Sequence, residues 1–205
     1  MKYLSIVAPY LEDQMSMDVV HARMLGEFIR RSGVRRVVEV GCCWGVSTAL
    51  ILEALEWWGT QATYIGIDPV ITPGVRAMAS RARDAGVNVV LREEKSLGER
   101  RALEEVVDDK TFVVLDGDHD ESVIVPEVQV CISADARAIA IHDMGTDGLP
   151  GPKKAVDSLP AMGWMFAWDC VPRPGMRTQR GLAFGAHRKS NIVQFFVDES
   201  ICSWG

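Results

Sequence analysis

The side chains able to do chemistry are concentrated in two short runs. FVVLDGDHD holds Asp116, Asp118 and His119, and IAIHDM holds His142 and Asp143. Each run starts as a β-prone apolar segment and ends in ionisable residues, which puts the charged groups where a buried strand gives way to a loop. Carboxylates and imidazoles gathered there can hold a divalent cation. Oxygen-rich ligation suits Mg²⁺ or Ca²⁺, and imidazole shifts the preference toward Mn²⁺, Fe²⁺ or Zn²⁺. Plainer uses exist: Asp118 and Asp143 could cap helices, and His119 could be a solvated loop residue. Together, these ionisable groups at two neighbouring strand ends need neutralising, and a cation or a positively charged cofactor would supply the charge.

A third run, VVEVGCCWGVST from Val37 to Thr48, sets two adjacent cysteines between Gly41 and Gly45. Adjacent thiols cannot easily chelate one metal, and no Cys-x-x-Cys or second pair completes a four-ligand site. The glycines are the informative residues. Gly41 directly follows a strand and Gly45 opens a helix, so the chain can turn sharply and bring its backbone close to a bound molecule. Cys42, Cys43 and Trp44 are then loop side chains around that ligand. The spacing Glu-x-Gly-x-x-x-Gly is neither the Gly-x-Gly-x-x-Gly of dinucleotide enzymes nor the Gly-x-x-x-x-Gly-Lys of a phosphate loop. At the end of the next strand Asp68, in YIGIDP, stands where a carboxylate accepts from the two ribose hydroxyls of a nucleoside, with a helix cap or turn as the plainer use. Loop and carboxylate together point to a nucleoside without a pyrophosphate.

The elements that must position these groups follow from periodicity. Apolar β-prone runs predict strands at Val37–Val40, Tyr64–Ile67, Val87–Leu91, Phe112–Leu115 and Ala138–Ile141. Helical spacing predicts a helix capped by Ser16 and running through Arg31, stopped by Gly33, then helices over Ser47–Trp58, Val75–Ala85, Ser96–Val107, Glu121–Ile132 and Lys153–Leu159. Strands that alternate with helices and are nearly all apolar imply a parallel sheet covered on both faces. Trp164–Trp168 and Gly181–Gly185 predict two later strands, able to form an antiparallel edge. The Gly/Pro-rich pieces Gly145–Pro152 and Pro172–Gly175 read as loops.

Composition narrows the function classes. A chain of 205 residues, 48% apolar and 24% charged, suits one domain: a helical element at 1–33, a core at 34–159, and later strands with a tail at 160–205. The net charge of −6 gives no general attraction for nucleic acid or an anionic membrane, so a small or neutral substrate fits better. No apolar run approaches the roughly 18 residues of a membrane span. Five irregularly spaced cysteines and no leader pattern predict a reduced, cytoplasmic protein.

VVEVGCCWGVST followed by YIGIDP resembles the first two motifs of class I S-adenosylmethionine (SAM)-dependent methyltransferases, over roughly Ser16 to Leu159. The resemblance implies an α/β, Rossmann-like sandwich with a mostly parallel seven-stranded sheet, an antiparallel edge and helices on both faces. It also implies that Glu39 and the Gly41–Gly45 loop with Cys42, Cys43 and Ser47 hold the methionine and ribose part of SAM, Asp68 the ribose hydroxyls, and the region of Ser96 the adenine side. The two strand-end runs resemble those of metal-dependent O-methyltransferases of the catechol and macrocin types, and the DGDH form is similar to methyltransferase-like proteins related to cephalosporin hydroxylases. Matched by motif, Asp116 would lie beside the cofactor and would hold a divalent metal with His142 and Asp143. His142 stands where the resemblance predicts a carboxylate, which bears on the metal's identity and presence. His119 is the preferred base, with Asp118 as the alternative.

The implied activity is methyl transfer to a hydroxyl of a small molecule, and the runner-up is a SAM-binding regulatory protein without transfer chemistry. A nucleic-acid methyltransferase lacks its Asn/Asp-Pro-Pro-aromatic motif here, and a nicotinamide oxidoreductase conflicts with the glycine spacing. Met15–Met17, Trp44, Met144–Pro152 and Pro172–Arg180 could line an acceptor site, with Arg173, Arg177 and Arg180 able to meet an anionic group. Trp57 and Trp58 are expected to pack on the first helix or at an interface. The apolar run IVQFFV near the end of the chain could complete the sheet edge or join a homodimer.

Overall fold

The computed structural model describes residues 2–11, 13, 15–145, 149–158, 163–169 and 181–187, without the side chains of 165–169. A short helix α1 (Leu4–Val7) precedes α2 (Val19–Ser32). The cap of α2 is Asp18, whose side chain accepts from the His21 amide, rather than the expected Ser16; Gly33 ends the helix in the left-handed region at φ 69°. Asp18 wins because it lies immediately before the first helical residue, where a carboxylate reaches the free amides of the first turn.

The sheet contains β1 (Arg36–Val40), β2 (Thr63–Ile67), β3 (Asn88–Arg92), β4 (Thr111–Leu115), β5 (Ala138–Ile141), β6 (Trp164–Asp169) and β7 (Leu182–His187). Its order is β3-β2-β1-β4-β5-β7-β6, with β1 to β5 parallel and the β5-β7 and β7-β6 pairs antiparallel. The helices between strands are α3 (Val46–Leu55), α4 (Pro73–Asp84), α5 (Ala102–Val106), α6 (Glu121–Ser133) and α7 (Pro150–Ser158).

Two helices are shorter than their periodicity suggested. α3 gives way after Leu55 to a tighter 3-10 segment, Glu56–Gln61, interrupted at Gly59 by φ 52° and ψ −127°. α5 starts only at Ala102, after Arg101 in the left-handed region, so Ser96 sits in a loop. Trp57 is 79% exposed and so does not pack on the first helix, whereas the Arg35 guanidinium lies 4.4 Å from the centroid of Trp58.

Alternate residues of each strand enter opposite cores. Val37, Tyr64 and Phe112 face α2 and α3, while Val38, Ile65 and Val113 face α5 and α6. Phe28 of α2 closes the first layer against Phe112 and Phe184, at ring separations of 4.7 and 5.0 Å. β1 pairs with both β2 and β4, and the chain reverses its direction of winding there, which opens a crevice beyond the strand ends. Among the described residues, no helix is long and apolar enough to cross a membrane. The predicted IVQFFV run, Pro172–Gly175 and the three arginines of 173–180 lie outside the described residues.

Candidate active site

A cleft of about 1020 Å³ lies over the ends of the parallel strands. Its floor is the turn after β1. Gly41 has φ +85°, and a Cβ there would stand 2.2 Å from the Asp116 carbonyl oxygen, so the β1 and β4 loops pass at backbone contact. Asp68 clasps this turn: its Oδ2 accepts from the amides of Cys42 at 2.8 Å and Cys43 at 3.0 Å, and its Oδ1 accepts from Val70. Three of about four acceptor positions on the carboxylate are thereby used within the protein. Trp44 stacks on Tyr10 with ring centroids 4.5 Å apart and planes 5° from parallel, joining the N-terminal segment to the wall of the cleft.

Gly41, Cys43, Asp68 and Ser96 line the cleft, as do Asp116, Asp118, His119 and Asp143. Glu39, Cys42, Gly45, Ser47 and His142 do not. The expectation that Glu39 meets the ligand is corrected by strand alternation. Its carboxylate turns beneath α3, fully buried, and accepts from Thr48 Oγ1 at 2.7 Å and from the Tyr64 hydroxyl. Burial raises its pKa to about 7 despite hydrogen bonds from Ser47, Tyr64 and Thr48. Ser47 thus serves Glu39 rather than the cleft. Gly45 stands at φ +91° with Met78 against it, and it shapes the helix entry. Burial also raises the Cys42 thiol well above its ordinary range, and that of Cys43 to a lesser degree, so neither is a ready thiolate.

At the other end, the predicted cluster does converge. His142, 1% exposed at the end of β5, has Nδ1 2.8 Å from Asp116 Oδ1 and 3.6 Å from Asp143 Oδ1. Burial opposes charging this ring, but Asp116, Asp18 and Asp143 outweigh it and raise its pKa to about 10. Asp116 moves the other way, to about 2: burial would raise it, and the His142 and His119 rings more than reverse that effect. His119 Nε2 stands 3.6 Å from both Asp116 Oδ1 and Asp143 Oδ2, buried and without a hydrogen-bond partner. Asp118 is exposed and accepts from the Asp120 amide in the turn before α6, while the cap of that helix is Asp120 rather than Asp118.

Sequence reasoning missed three residues. Asp18 and His21 back the cluster: His21 Nδ1 lies 3.2 Å from His142 Nε2 and 2.5 Å from Asp18 Oδ2. The Asp-x-x-His spacing at a helix start was visible, but its target on β5 was not. The third, Glu127 of α6, is 1% exposed and lines the cleft beside Ser96. A carboxylate among Ile124, Val128 and Cys131 on one helical face was the available signal.

The donors of Asp116, His142 and Asp143 lie within 4.8 Å of one another. This set fits a divalent cation. His21 and Asp18 face Nε2 of His142 and thereby turn Nδ1 toward the carboxylates, the arrangement usual for a ligating imidazole with a carboxylate behind it. The same pairing suits a proton on His142, so cation and proton compete for one lone pair.

No protein-family model matches this sequence, and no curated protein matches it by sequence. Solved structures do match. The O-methyltransferase from Bacillus cereus in complex with SAH superposes with a TM-score of 0.67 at 12% identity, over 90% of this chain and 89% of that one. Cofactor-bound Rv0187 from MTB gives 0.64 at 19% identity, over 92% and 89%. The O-methyltransferase TomG from Streptomyces achromogenes, involved in tomaymycin synthesis and in complex with SAM, gives 0.65 at 13% identity, over 90% and 88%. Across nearly its whole length, this chain has the Rossmann-like fold of these O-methyltransferases.

Proposed function

We propose that this chain is a SAM-dependent methyltransferase that methylates a hydroxyl oxygen of a small molecule, working as one cytoplasmic domain. One observation carries this proposal: a single cleft joins the turn clasped by Asp68 to His119 and the Asp116–Asp143 pair. The shared fold with O-methyltransferases in complex with SAM or SAH supports it.

The backbone of Gly41 to Cys43 follows the nucleoside, and the remaining acceptor position of Asp68 takes a ribose hydroxyl. The acceptor hydroxyl lies against His119. Its oxygen forms a bond to the methyl carbon as the carbon–sulfur bond breaks, the sulfonium becomes a neutral thioether, and the hydroxyl proton passes to His119 Nε2. Burial works against charging His119, but Asp116 and Asp143 raise its pKa overall, so these carboxylates hold the imidazolium that forms. Asp116, His142 and Asp143 would hold a divalent cation, Mg²⁺, Mn²⁺ or Ca²⁺, which when bound lowers the pKa of the acceptor hydroxyl. A homodimer through the IVQFFV run belongs to the same proposal, and a monomer at micromolar concentration would count against it.

The test is calorimetric titration of SAM and S-adenosylhomocysteine (SAH) into the protein, with an Asp68→Ala control shown to be folded by circular dichroism, since the loss of three amide hydrogen bonds lowers its thermal midpoint. Both compounds should bind, and the control should weaken them at least about tenfold. A folded protein that binds neither removes the proposal. Binding without product from any hydroxylated acceptor would instead favour the regulatory protein.

A further inference from the structure

We propose that Glu127 recognises the nucleobase of the cofactor, its Oε2 accepting from the exocyclic amino group of adenine while Ser96 holds Oε1; this rests on the SAM reading above. The order of the strand ends leads there. Along the cleft, Asp143 and Asp116 follow β5 and β4, the glycine turn follows β1, Asp68 follows β2, and Lys95 to Leu97 follow β3. With the reacting groups at β4 and β5 and the ribose carboxylate at β2, the base falls at the β3 end.

At that end, a polar side chain is buried without its full set of partners. Ser96 Oγ donates to Glu127 Oε1, and Glu127 Oε2 is buried with no hydrogen-bond partner. An orphan carboxylate oxygen in an apolar setting is costly, so a donor supplied by a ligand would gain more than an exposed contact. Ile67, Leu97 and Val123 line the same cleft and offer apolar surface to the faces of a flat ring. An amino donor complements Oε2, whereas a 6-oxo group would set oxygen against oxygen. Burial raises the pKa of Glu127 to about 7, as expected of a group whose ionised form lacks a donor.

The role is one of specificity, so the readout is a ratio. At about pH 8.5, where Glu127 is ionised, SAH and its 6-oxo analogue S-inosylhomocysteine would be titrated into wild type, Glu127→Gln, Glu127→Leu and Ser96→Ala, with thermal midpoints measured for each. Wild type should prefer SAH by about tenfold or more, the ratio expected of one hydrogen bond made or lost. Glu127→Leu, which removes the acceptor, should bring the ratio near one; Glu127→Gln, whose amide can also donate to the 6-oxo group, should lower it, as should Ser96→Ala. A wild-type ratio near one overturns the proposal without reference to any variant. So does an unchanged ratio in the folded variants, which would leave Glu127 as a tie between the β3 loop and α6. If neither compound binds wild type, the SAM reading falls as well, whereas binding of both with equal affinity removes this inference alone.

Discussion

Glu39 of β1 and Asp116, just beyond the end of the adjacent strand β4, are both withdrawn from solvent, yet they titrate in opposite directions. Glu39 meets only hydroxyls and rises to about 7, while Asp116 meets two imidazoles and falls to about 2. Burial sets the cost of charge in both places, and the partners decide whether charge survives. The difference separates a carboxyl that supports α3 from one that pairs with two imidazoles at the cleft.

The largest effect is expected at the carboxyl ends of β4 and β5. His119→Ala should reduce kcat by about 10² to 10⁴ with little change in the SAM dissociation constant, measured by single turnover and calorimetry. An unchanged kcat would move the base elsewhere. Asp116→Asn should be nearly as damaging, and it should also destabilise the fold in chemical denaturation by roughly 3–5 kcal/mol, because His142 loses the partner of a buried charge.

The metal competition gives the next largest effect. Affinity for Mn²⁺ should rise by up to about tenfold per pH unit from about pH 6 to about pH 8, since binding must displace a proton from His142. A flat profile would exclude His142 as a ligand. Asp116→Ala and Asp143→Ala should each abolish metal-supported turnover.

Glu39 supplies the smallest effect and the cleanest contrast. Its folded pKa lies above its ordinary value of 4.5, so the folded state binds more protons between about 4.5 and about 7. Stability is therefore lost as pH rises through that window, by on the order of 3 kcal/mol from this group. Glu127 acts in the same direction over the same window. Glu39→Gln should flatten the denaturation midpoint against pH while leaving SAM affinity within a few-fold of wild type. A large loss of affinity would return Glu39 to the cofactor.

Strands β1, β2, β4, β5 and β7 were legible as apolar runs because their local pattern and tertiary burial agree. The strand-end chemistry was legible for the same reason: an ionisable residue directly after such a run has few places to go except the sheet's carboxyl edge. The helix expected over 96–107 failed because its first half is taken up by backbone turns, the Gly98 amide donating to the Lys95 carbonyl and the Arg101 amide to the Gly98 carbonyl, with Gly98 a poor helix former and Arg101 in the left-handed region. Glu39 shows a different limit. Motif position put it beside the ligand, but a strand residue belongs to one face of the sheet, and its face is the one α3 covers.

Sequence alone determined which residues end the strands, where the glycine turn falls, and that carboxylates and imidazoles would share one edge, because each depends on spacing along the chain. Only the tertiary structure decided their pairing. α2 brings Asp18 and His21 against His142, and α6 brings Glu127 to the β3 loop. Such partners are 31 to 124 residues apart, and nothing local encodes a contact whose geometry is set by how helices lie across a sheet.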